Sequence, residues 1–169
     1  MMNLCENCKD LVYLIMYIVH RSSNEKYLVL LQNLEDQDWK KITVKQFAFN
    51  WKKLKGVYQI FKLSLDGEIL GLIALSNIQA EERIEINLLA VSAENVGKEK
   101  KFDRIAGTLI AFACKEAIKN YNWEFPCVSL TPKTEIKEYY IKKYGMLDGG
   151  RQLYLEDIPL HKIIKEYLS

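Results

Sequence analysis

Proline and glycine are scarce in this sequence. Three prolines and eight glycines are spread over 169 residues. No stretch is rich in proline, glycine and serine, no segment repeats and none is of low complexity, so nothing marks a linker between domains. A chain of this length can bury one sizeable hydrophobic core. The sequence therefore predicts a single domain over residues 1–169.

An excess of charge of either sign is also lacking. Charged residues make up 27% of the chain, and the formal net charge at pH 7 is only +2. Proteins that bind nucleic acids or membrane surfaces electrostatically usually carry a strong basic excess. We therefore expect neither a nucleic acid nor a membrane as partner. A site for an anionic ligand must arise from a local cluster of cations.

Residues that ligate metals are few. There are two histidines, and the four cysteines are Cys5 and Cys8, which form one CxxC, and Cys114 and Cys127, which complete no second one. A structural zinc site usually has four ligands, and the histidines add no suitable spacing. We expect no metal and reduced thiols, while a redox or metal role for Cys5 and Cys8 stays open.

No hydrophobic run is long. The apolar run over residues 11–19 has nine residues, whereas a membrane-spanning helix needs about 20. Glu6 and Asp10 precede it where a signal peptide would carry basic residues, and no cleavage site of small residues follows. The run is therefore predicted to be a buried strand, and the protein is expected in the cytoplasm.

The sequence does have a series of strand patterns, followed by an alternation of helices and strands. Apolar, β-branched segments between short turns predict strands over residues 11–20, 26–33, 57–65, 68–75, 84–91, 125–130 and 151–155. Apolar periodicity predicts helices over 105–119, 135–144 and 160–168, and short helices with a loop over 36–54. Asp66-Gly67 between two strands is a strong hairpin signal. The predicted class is α+β, with one mixed, mostly antiparallel sheet and flanking helices.

A basic turn joins the strand that ends at Val91 to the helix that begins at Ile105. Its cations are Lys98, Lys100, Lys101 and Arg104. The N–H groups at a helix N-terminus bind anions, and the small residues Ala106 and Gly107 would let a ligand approach that backbone closely. The segment is typical of a phosphate-binding turn. A solvated charged loop before a packed helix is the alternative.

The order of elements and this turn resemble the GNAT superfamily of N-acetyltransferases. Its members carry Gln or Arg, two residues, Gly, one residue, and then Gly or Ala; the matching string here is Lys-Phe-Asp-Arg-Ile-Ala at residues 101–106. The chain is similar in particular to a bacterial GNAT-like group, through Asn95, Gly97, Lys100, Lys101, Phe102, Ala106, Gly107 and Leu-Ile-Ala-Phe-Ala at 109–113. The resemblance covers residues 57–156 and implies a GNAT fold.

The resemblance also implies that acetyl-CoA is the cosubstrate and that residues 57–156 bind it. The implied contacts are Leu89, Ala90, Val91, Gly97, Lys98, Lys101, Phe102, Arg104, Ile105, Ala106, Gly107, Thr108 and Lys133. Lys101 departs mildly from the usual Gln or Arg. Arg104 departs further, because it replaces the first glycine; it either adds a phosphate contact or narrows the site.

Two residues match positions of catalytic residues in the superfamily. Glu85 lies six residues before Val91, where the histone-acetyltransferase branch carries its general base; an outward-facing glutamate on a half-exposed strand is the alternative. Tyr140 matches the tyrosine that donates a proton to the CoA sulfur. Gly145, which closes its helix, follows Tyr140 by five residues instead of the commoner four, so Tyr139 stays open as the acid.

Together these features predict an N-acetyltransferase that passes an acetyl group from acetyl-CoA to an amine by direct attack in a ternary complex. The alternative is a degenerate GNAT fold that acts as a regulatory or partner-binding module without catalysis, and Arg104 is the residue that favours it. Residues 1–56 are expected to form the variable acceptor side. A small amine, a polyamine and a peptide stay equally open as acceptors, and a homodimer stays open as the assembly.

Overall fold

The computed structural model describes residues 16–121 and 125–168. Its strands are β1 (Met16–His20), β2 (Lys26–Asn33), β3 (Gln59–Leu65), β4 (Glu68–Ile78), β5 (Arg83–Val91), β6 (Phe102–Asp103), β7 (Cys127–Leu130), β8 (Leu147–Asp148) and β9 (Leu153–Glu156). Within these residues the nine strands form one sheet in the order β6-β1-β2-β3-β4-β5-β7-β9-β8. The predictions for residues 11–15 and for Cys5 and Cys8 lie outside the described residues.

Helices flank the sheet on both faces. The α-helices are α1 (Val44–Phe47), α2 (Ile105–Tyr121), α3 (Lys137–Tyr144) and α4 (Asp157–Tyr167). Short 3-10 turns cover Asp36–Lys40, Trp51–Leu54, Gln79–Glu81, Ala93–Asn95 and Thr134–Ile136. The helix α2 is buried around most of its circumference, as its apolar pattern predicts, because it packs on β4, β5, β7 and α4. Gly145 ends α3 in the left-handed conformation that glycine favours.

Each face of the sheet carries a hydrophobic core. The larger core lies between the sheet and the helices α2 and α4. The smaller core lies on the opposite face, where Phe47 and Trp51 from the segment 36–54 pack on Ile60 and Leu72 of β3 and β4. All strand pairs except that of β5 with β7 are antiparallel. The predicted mixed, mostly antiparallel α+β architecture is therefore confirmed.

The strands β5 and β7 run parallel, and they part after four residue pairs, from Arg83 with Cys127 to Ile86 with Leu130. The strand β7 ends there because the chain continues into Thr131-Pro132, and proline has no N–H for a sheet. The strand β5 runs on to Val91, bonded to β4 alone. The sheet therefore opens beside the second half of β5.

A β-bulge at Asn87 decides which residues of β5 face this opening. In β4, Leu75 pairs with Ile86 and Ala74 pairs with Leu88, so Asn87 is an extra residue between the two pairs. An extra residue exchanges the two faces of a strand from that point on. The second half of β5 is therefore turned over relative to its first half.

The consequence appears in the packing of the strand end. Leu89 and Val91 lie on the side of the larger core, and Leu88 and Ala90 lie on the side of the smaller core. Without the bulge the alternation that starts at Ile84 would place these pairs the other way round. The bulge therefore turns two apolar side chains toward the opening of the sheet.

Two strands are not predicted from the sequence, and the ends of several elements differ from the predicted ones. The strands β6 and β8 have two residues each, too few for any periodicity. They form because the partner strands β1 and β9 offer free edges to them. The strand predicted from residue 57 begins at Gln59, the last strand covers Leu153–Glu156 instead of 151–155, and the terminal helix begins at Asp157 instead of residue 160.

No helix within residues 16–121 and 125–168 combines the length and apolar character needed to cross a bilayer. The same residues contain no group of three or more His, Cys, Asp or Glu side chains placed to hold a metal ion.

Candidate active site

A cavity of about 830 Å³ lies where the sheet opens. Its walls come from β1, the second half of β5, the turn before α2, the first turn of α2, and the helices α3 and α4. The lining residues are Val19, Leu89, Val91, Asn95, Val96, Gly97, Lys100, Phe102, Asp103, Arg104, Ile105, Ala106, Gly107, Ile136, Tyr139, Tyr140, Lys143, Tyr144, Glu166 and Tyr167. The cavity thus joins an apolar strand wall to a helix N-terminus.

Asn95 holds the turn that leads into α2. Its side chain is buried; Oδ1 accepts a hydrogen bond from the N–H of Phe102 at 2.9 Å, and Nδ2 donates to Ser92 Oγ at 2.8 Å. The turn is tied to the sheet a second time where β6 pairs with β1. Asn95 therefore has a structural reason to be in the pattern that carries the family resemblance.

The first turn of α2 presents N–H groups that have no partner within the helix. The N–H of Thr108 donates to the carbonyl of Arg104 at 2.9 Å, which is the first bond of this helix. By helix geometry the N–H groups of residues 105–107 have no partner within the helix. These three residues line the cavity. Because the positive end of the helix dipole adds to the unpaired donors, this end of the cavity suits an anion.

Gly107 makes room for an aromatic ring. A Cβ atom at this position would lie 2.2 Å from two ring carbons of Tyr167. The helix α4 therefore lays Tyr167 directly on the first turn of α2, and the ring becomes part of the cavity wall. Burial, together with the nearby carboxylate of Glu166, raises the pKa of Tyr167 to about 12. Its hydroxyl accordingly keeps its proton at neutral pH.

Arg104 has a positive φ of 83°, in the region where glycine is favoured. Its guanidinium lies 4.2 Å from the ring centroid of Tyr17 and 4.8 Å from that of Tyr167. Nη2 donates to the carbonyl of Glu166 at 2.7 Å, and Nε donates to the carbonyl of Tyr17 at 3.3 Å. The residue that replaces the first glycine of the superfamily pattern thus connects α2 with β1 and α4.

Two further cations line the cavity that are not among the predicted cosubstrate contacts, although Lys100 is one of the cations of the predicted basic turn. Lys100 of the turn forms an ion pair with Asp103 at 2.5 Å. Lys143 comes from the last turn of α3. Lys101, which is in the predicted set, is exposed, and its Nζ lies 5.2 Å from the ring centroid of Phe102.

Tyrosines of α3 form one wall of the cavity. The ring centroids of Tyr140 and Tyr144 are 5.7 Å apart, and Tyr139 lies 6.1 Å from each. Burial, with a smaller effect of Tyr139, raises the pKa of Tyr140. Its hydroxyl is therefore protonated at neutral pH and can donate that proton. Tyr139 is 53% exposed, so Tyr140 is the better enclosed of the two candidates for the acid.

Glu85 lies on the other face of the sheet, next to the point where β5 and β7 part. It pairs with Ser129, one residue pair before the end of the parallel ladder. Oε1 accepts a hydrogen bond from Gln152 Nε2 at 3.0 Å, Oε2 lies 3.7 Å from Arg83 Nη1, and the side chain is 24% exposed. Glu85 is thus a partly exposed, oriented carboxylate outside the cavity.

Asn87, the extra residue of the bulge, lies beside Glu85. Its Nδ2 donates to Ser76 Oγ at 2.6 Å and to the carbonyl of Glu85 at 3.3 Å. These bonds give the side-chain amide of the extra residue its hydrogen-bond partners, and they hold the strand in place next to Glu85.

The structure brings most of the residues predicted for cosubstrate binding to the cavity and leaves the others outside it. Those that line it are Leu89, Val91, Gly97, Phe102, Arg104, Ile105, Ala106 and Gly107. Those that do not are Ala90, Lys98, Lys101, Thr108 and Lys133. Ala90 faces the smaller core because of the bulge, Thr108 is buried inside α2, and Lys133 is exposed before α3. Of the predicted catalytic residues, Tyr140 lines the cavity and Glu85 does not.

The cavity also contains Tyr144, Lys143 and Tyr167, which are not predicted from the sequence. The first two carry a usable signal, since they directly precede Gly145 in the helix that supplies Tyr140. Tyr167 carries none at the level of a motif, because it reaches the cavity from the terminal helix only through tertiary packing on Gly107.

A buried ion pair attaches the segment 36–54 to the face that carries Glu85. Lys62 Nζ lies 2.7 Å from Asp38 Oδ2, and the two side chains are 10% and 3% exposed. Oδ2 also accepts a hydrogen bond from the N–H of Glu35 at 2.8 Å. Burial disfavours a charged carboxylate, but the hydrogen bonds from Lys62 and Glu35 outweigh it and lower the pKa of Asp38. A lysine inside the apolar strand β3 is the sequence signal for this pair.

Comparison of the sequence with protein-family models and with curated proteins finds no match. Solved structures do match. Mutant forms of the spermidine/spermine N-acetyltransferase SpeG from Vibrio cholerae are 15% identical, with a TM-score of 0.57, over 82% of this chain and 97% of that chain. A mutant form of the toxin AtaT, bound to the C-terminus of the antitoxin AtaR, is 16% identical, with a TM-score of 0.53, over 80% and 94%.

A Bacillus subtilis acetyltransferase in complex with CoA is 13% identical, with a TM-score of 0.50, over 77% of this chain and 98% of that chain. At such identities the likeness establishes the fold. The chain has the GNAT acetyltransferase fold, which confirms the fold that the sequence resemblance predicts.

Proposed function

We propose that this chain is an N-acetyltransferase that takes its acetyl group from acetyl-CoA and passes it to an amine by direct attack in a ternary complex. The observation that carries the proposal is the cavity where β5 and β7 part, since it ends at the unpaired N–H groups of residues 105–107. The likeness of the fold to an acetyltransferase solved with CoA supports it.

The residues of the cavity suit a CoA thioester along its length. The N–H groups of residues 105–107, with Lys100 and Lys143 nearby, suit phosphate groups. Leu89 and Val91 give an apolar wall for the pantetheine arm. Beyond Ile86 the edge of β5 is released by β7, so backbone donors and acceptors are available to the amides of that arm.

Glu85 and Tyr140 would take the two proton transfers. The attacking amine must lose a proton, and the departing thiolate is helped by gaining one. Glu85 lies on the acceptor-side face at the point where the strands part and would receive the proton of the amine. Tyr140 lines the cavity with its proton retained and would donate it to the sulfur. N–H groups of the released β5 edge would stabilise the charge that develops on the carbonyl oxygen.

The acceptor in this proposal is an amine in the cytoplasm. Residues 1–56 form the side of the protein that binds the acceptor, and residues 57–156 form the side that binds acetyl-CoA. In the described part of the first region, the segment 36–54 covers the smaller core on the face that carries Glu85. The fold is shared by a spermidine/spermine N-acetyltransferase, so polyamines belong in the first assay panel beside other small amines and peptides. A homodimer is the assembly to test beside it.

A GNAT fold without catalysis is the second candidate, and one observation favours it. Arg104 and Tyr167 fill the space at the first turn of α2, which narrows the anion end of the cavity. In this case the cavity would bind CoA weakly or not at all.

Binding of CoA separates the two candidates. A ligand that binds only the folded state stabilises it by about 2.7 kcal/mol at 100 times its Kd, so CoA and acetyl-CoA should raise the melting temperature. Release of free thiol from acetyl-CoA in the presence of an amine then measures transfer. If millimolar CoA produces neither a thermal shift nor calorimetric heat, the acetyltransferase proposal is wrong.

Replacing Tyr140 with Phe should lower kcat and leave CoA affinity nearly unchanged, because the ring still packs and only the hydroxyl is lost. The expected loss is roughly 10²-fold, at the lower end of general acid–base effects. It is modest because a thiol has a pKa of about 8.5, so its anion leaves fairly easily. Steady-state kinetics with acetyl-CoA and the best amine measure it.

Tyr139→Phe is the matched control in the same helix and should change kcat little. A larger loss of kcat in Tyr139→Phe than in Tyr140→Phe would identify Tyr139 as the general acid, which the spacing to Gly145 allows. If neither variant changes kcat, the proton comes from water or from Tyr144.

A further inference from the structure

We propose that Arg104 is a positioning residue: it holds the first turn of α2 by clamping it to β1 and α4, and it is not itself the ligand of the anion. The anion would then be bound by the N–H groups that the clamp keeps aimed at the cavity. This inference rests on the proposed function for the identity of that anion, the pyrophosphate of CoA.

The hydrogen bonds of the guanidinium support a clamp. Nη2 donates to the carbonyl of Glu166 at 2.7 Å, and Nε donates to the carbonyl of Tyr17 at 3.3 Å. The two acceptors belong to elements that are 62 and 87 residues away along the chain. Because both acceptors are backbone carbonyls of other elements, these bonds fix the direction of the planar fork.

The rings on both sides support the same role. The guanidinium lies 4.2 Å from the ring centroid of Tyr17 and 4.8 Å from that of Tyr167. Tyr167 in turn rests on Gly107 so closely that no Cβ fits between them. The first turn of α2 is therefore held at two neighbouring points, Arg104 and Gly107, by one residue of α4.

The backbone of Arg104 explains why a clamp is needed. A φ of 83° is unfavourable for any residue with a Cβ, by a factor of roughly 5–30 in population relative to ordinary conformations. Glycine adopts it without strain. The side-chain contacts of Arg104 offset the strain and keep the following N–H groups directed into the cavity. Removing the contacts while keeping the Cβ should release the turn.

Three replacements at this position separate a clamp from a charge contact, because the two roles predict opposite orders. Arg104→Gly loses the charge and the contacts but also the strain, so it should bind CoA within about threefold of the wild type. Arg104→Ala and Arg104→Lys keep the Cβ and lose the fork, so they should bind about tenfold more weakly. If the guanidinium bound phosphate, Arg104→Lys would be the mildest replacement and Arg104→Gly would be as weak as Arg104→Ala.

Calorimetry with CoA at fixed ionic strength gives the order of affinities. Kinetics should show the same order in the KM for acetyl-CoA, with kcat of Arg104→Ala nearly that of the wild type. Arg151→Ala, which removes an exposed positive charge away from the cavity lining, is the control for net charge and should change neither constant. A ranking with Arg104→Lys above Arg104→Gly would overturn the proposal.

Amide hydrogen exchange of the free protein tests the clamp without any ligand. Exchange at the start of α2, from Thr108 onward, should be about tenfold faster in Arg104→Ala and Arg104→Lys than in Arg104→Gly. Equal exchange in all three variants would overturn the clamp even if CoA binds. Absence of CoA binding by the wild type, with the expected order of exchange rates, would overturn the proposed function and leave the clamp standing.

Discussion

Replacing Glu85 with Gln should lower the rate of acetyl transfer at neutral pH by about 10²–10⁴-fold, the range that a general base contributes. The substitution keeps the size of the side chain and can keep the hydrogen bond with Gln152, but an amide cannot accept the proton of the amine. Since the carboxylate lies on the face opposite the cavity, CoA affinity should stay close to that of the wild type. Turnover at saturating acetyl-CoA measures the loss, and calorimetry measures the affinity.

The pH dependence of the loss in Glu85→Gln shows whether Glu85 accepts the proton of the amine. An alkylamine has a pKa near that of lysine, about 10.4, so at high pH an increasing share of the acceptor is already deprotonated. The deficit of Glu85→Gln should therefore shrink as the pH rises from 7 to 10. A deficit that is the same at every pH would assign Glu85 to orientation of the acceptor instead of proton transfer.

Glu156→Gln is the matched control for this experiment. Glu156 lies on the same face, two strands away, where it pairs with Cys127, and it has no assigned role. It should retain near wild-type turnover. An equal loss in the two variants would mean that negative charge on this face attracts the amine, and that Glu85 is not a specific base.

Removal of the carboxylate of Asp38 should have the largest effect on stability. Asp38→Ala leaves the ammonium group of Lys62 buried without its partner, and such a change typically costs about 3–5 kcal/mol. That is a large part of the total stability of a domain of this size, about 5–15 kcal/mol. Urea unfolding followed by circular dichroism measures the free energy of unfolding.

Two further variants isolate the buried pair. Asp36→Ala removes a carboxylate from the same 3-10 turn, but its partner Lys55 and Asp36 itself are 59% and 92% exposed, so no measurable change is expected. Adding Lys62→Met to Asp38→Ala removes the stranded charge and should recover much of the loss. If Asp38→Ala is no less stable than Asp36→Ala, the ion pair does not stabilise the fold.

The ion pair of Asp38 with Lys62 should also make the free energy of unfolding depend on pH. The pKa of Asp38 is lowered in the folded protein, so the pair stabilises the folded state above the ordinary aspartate pKa of about 3.9. This contribution is lost as the pH falls through the lower folded-state pKa. As the pH falls, the free energy of unfolding should therefore decrease more steeply for the wild type than for the variant with Asp38→Ala and Lys62→Met.

The fold could be predicted because its elements are long and locally consistent. The strand patterns, the Asp66-Gly67 turn with its two positive φ angles and the all-round apolar helix α2 each point to one structure. The paired strands β1 to β5 are also neighbours in sequence. The short strands β6 and β8 escape prediction because an edge partner, and no internal periodicity, makes them strands.

The candidate site could be predicted less completely, for two physical reasons. The bulge at Asn87 turns Ala90 away from the cavity, and no residue pattern marks an extra residue in a strand. The contacts of Arg104 depend on Tyr17 and on Glu166, which become its neighbours only in the folded chain. Sequence reasoning locates the turn and its cations, but the direction of each side chain is set by tertiary packing.

Because Arg104 contacts residues near both ends of the chain, the first turn of α2 should be among the last parts of the protein to form during synthesis. The strands β1 to β5 can pair one after another as they leave the ribosome, since each pairs with its predecessor. The turn at Arg104 cannot be completed in this way, because the carbonyl that accepts its shorter hydrogen bond comes 62 residues later. A nascent chain would therefore have a folded meander well before it has a formed anion site. If the cavity binds CoA as proposed, incomplete chains would not yet bind it, because the first turn of α2 is completed only when α4 has docked.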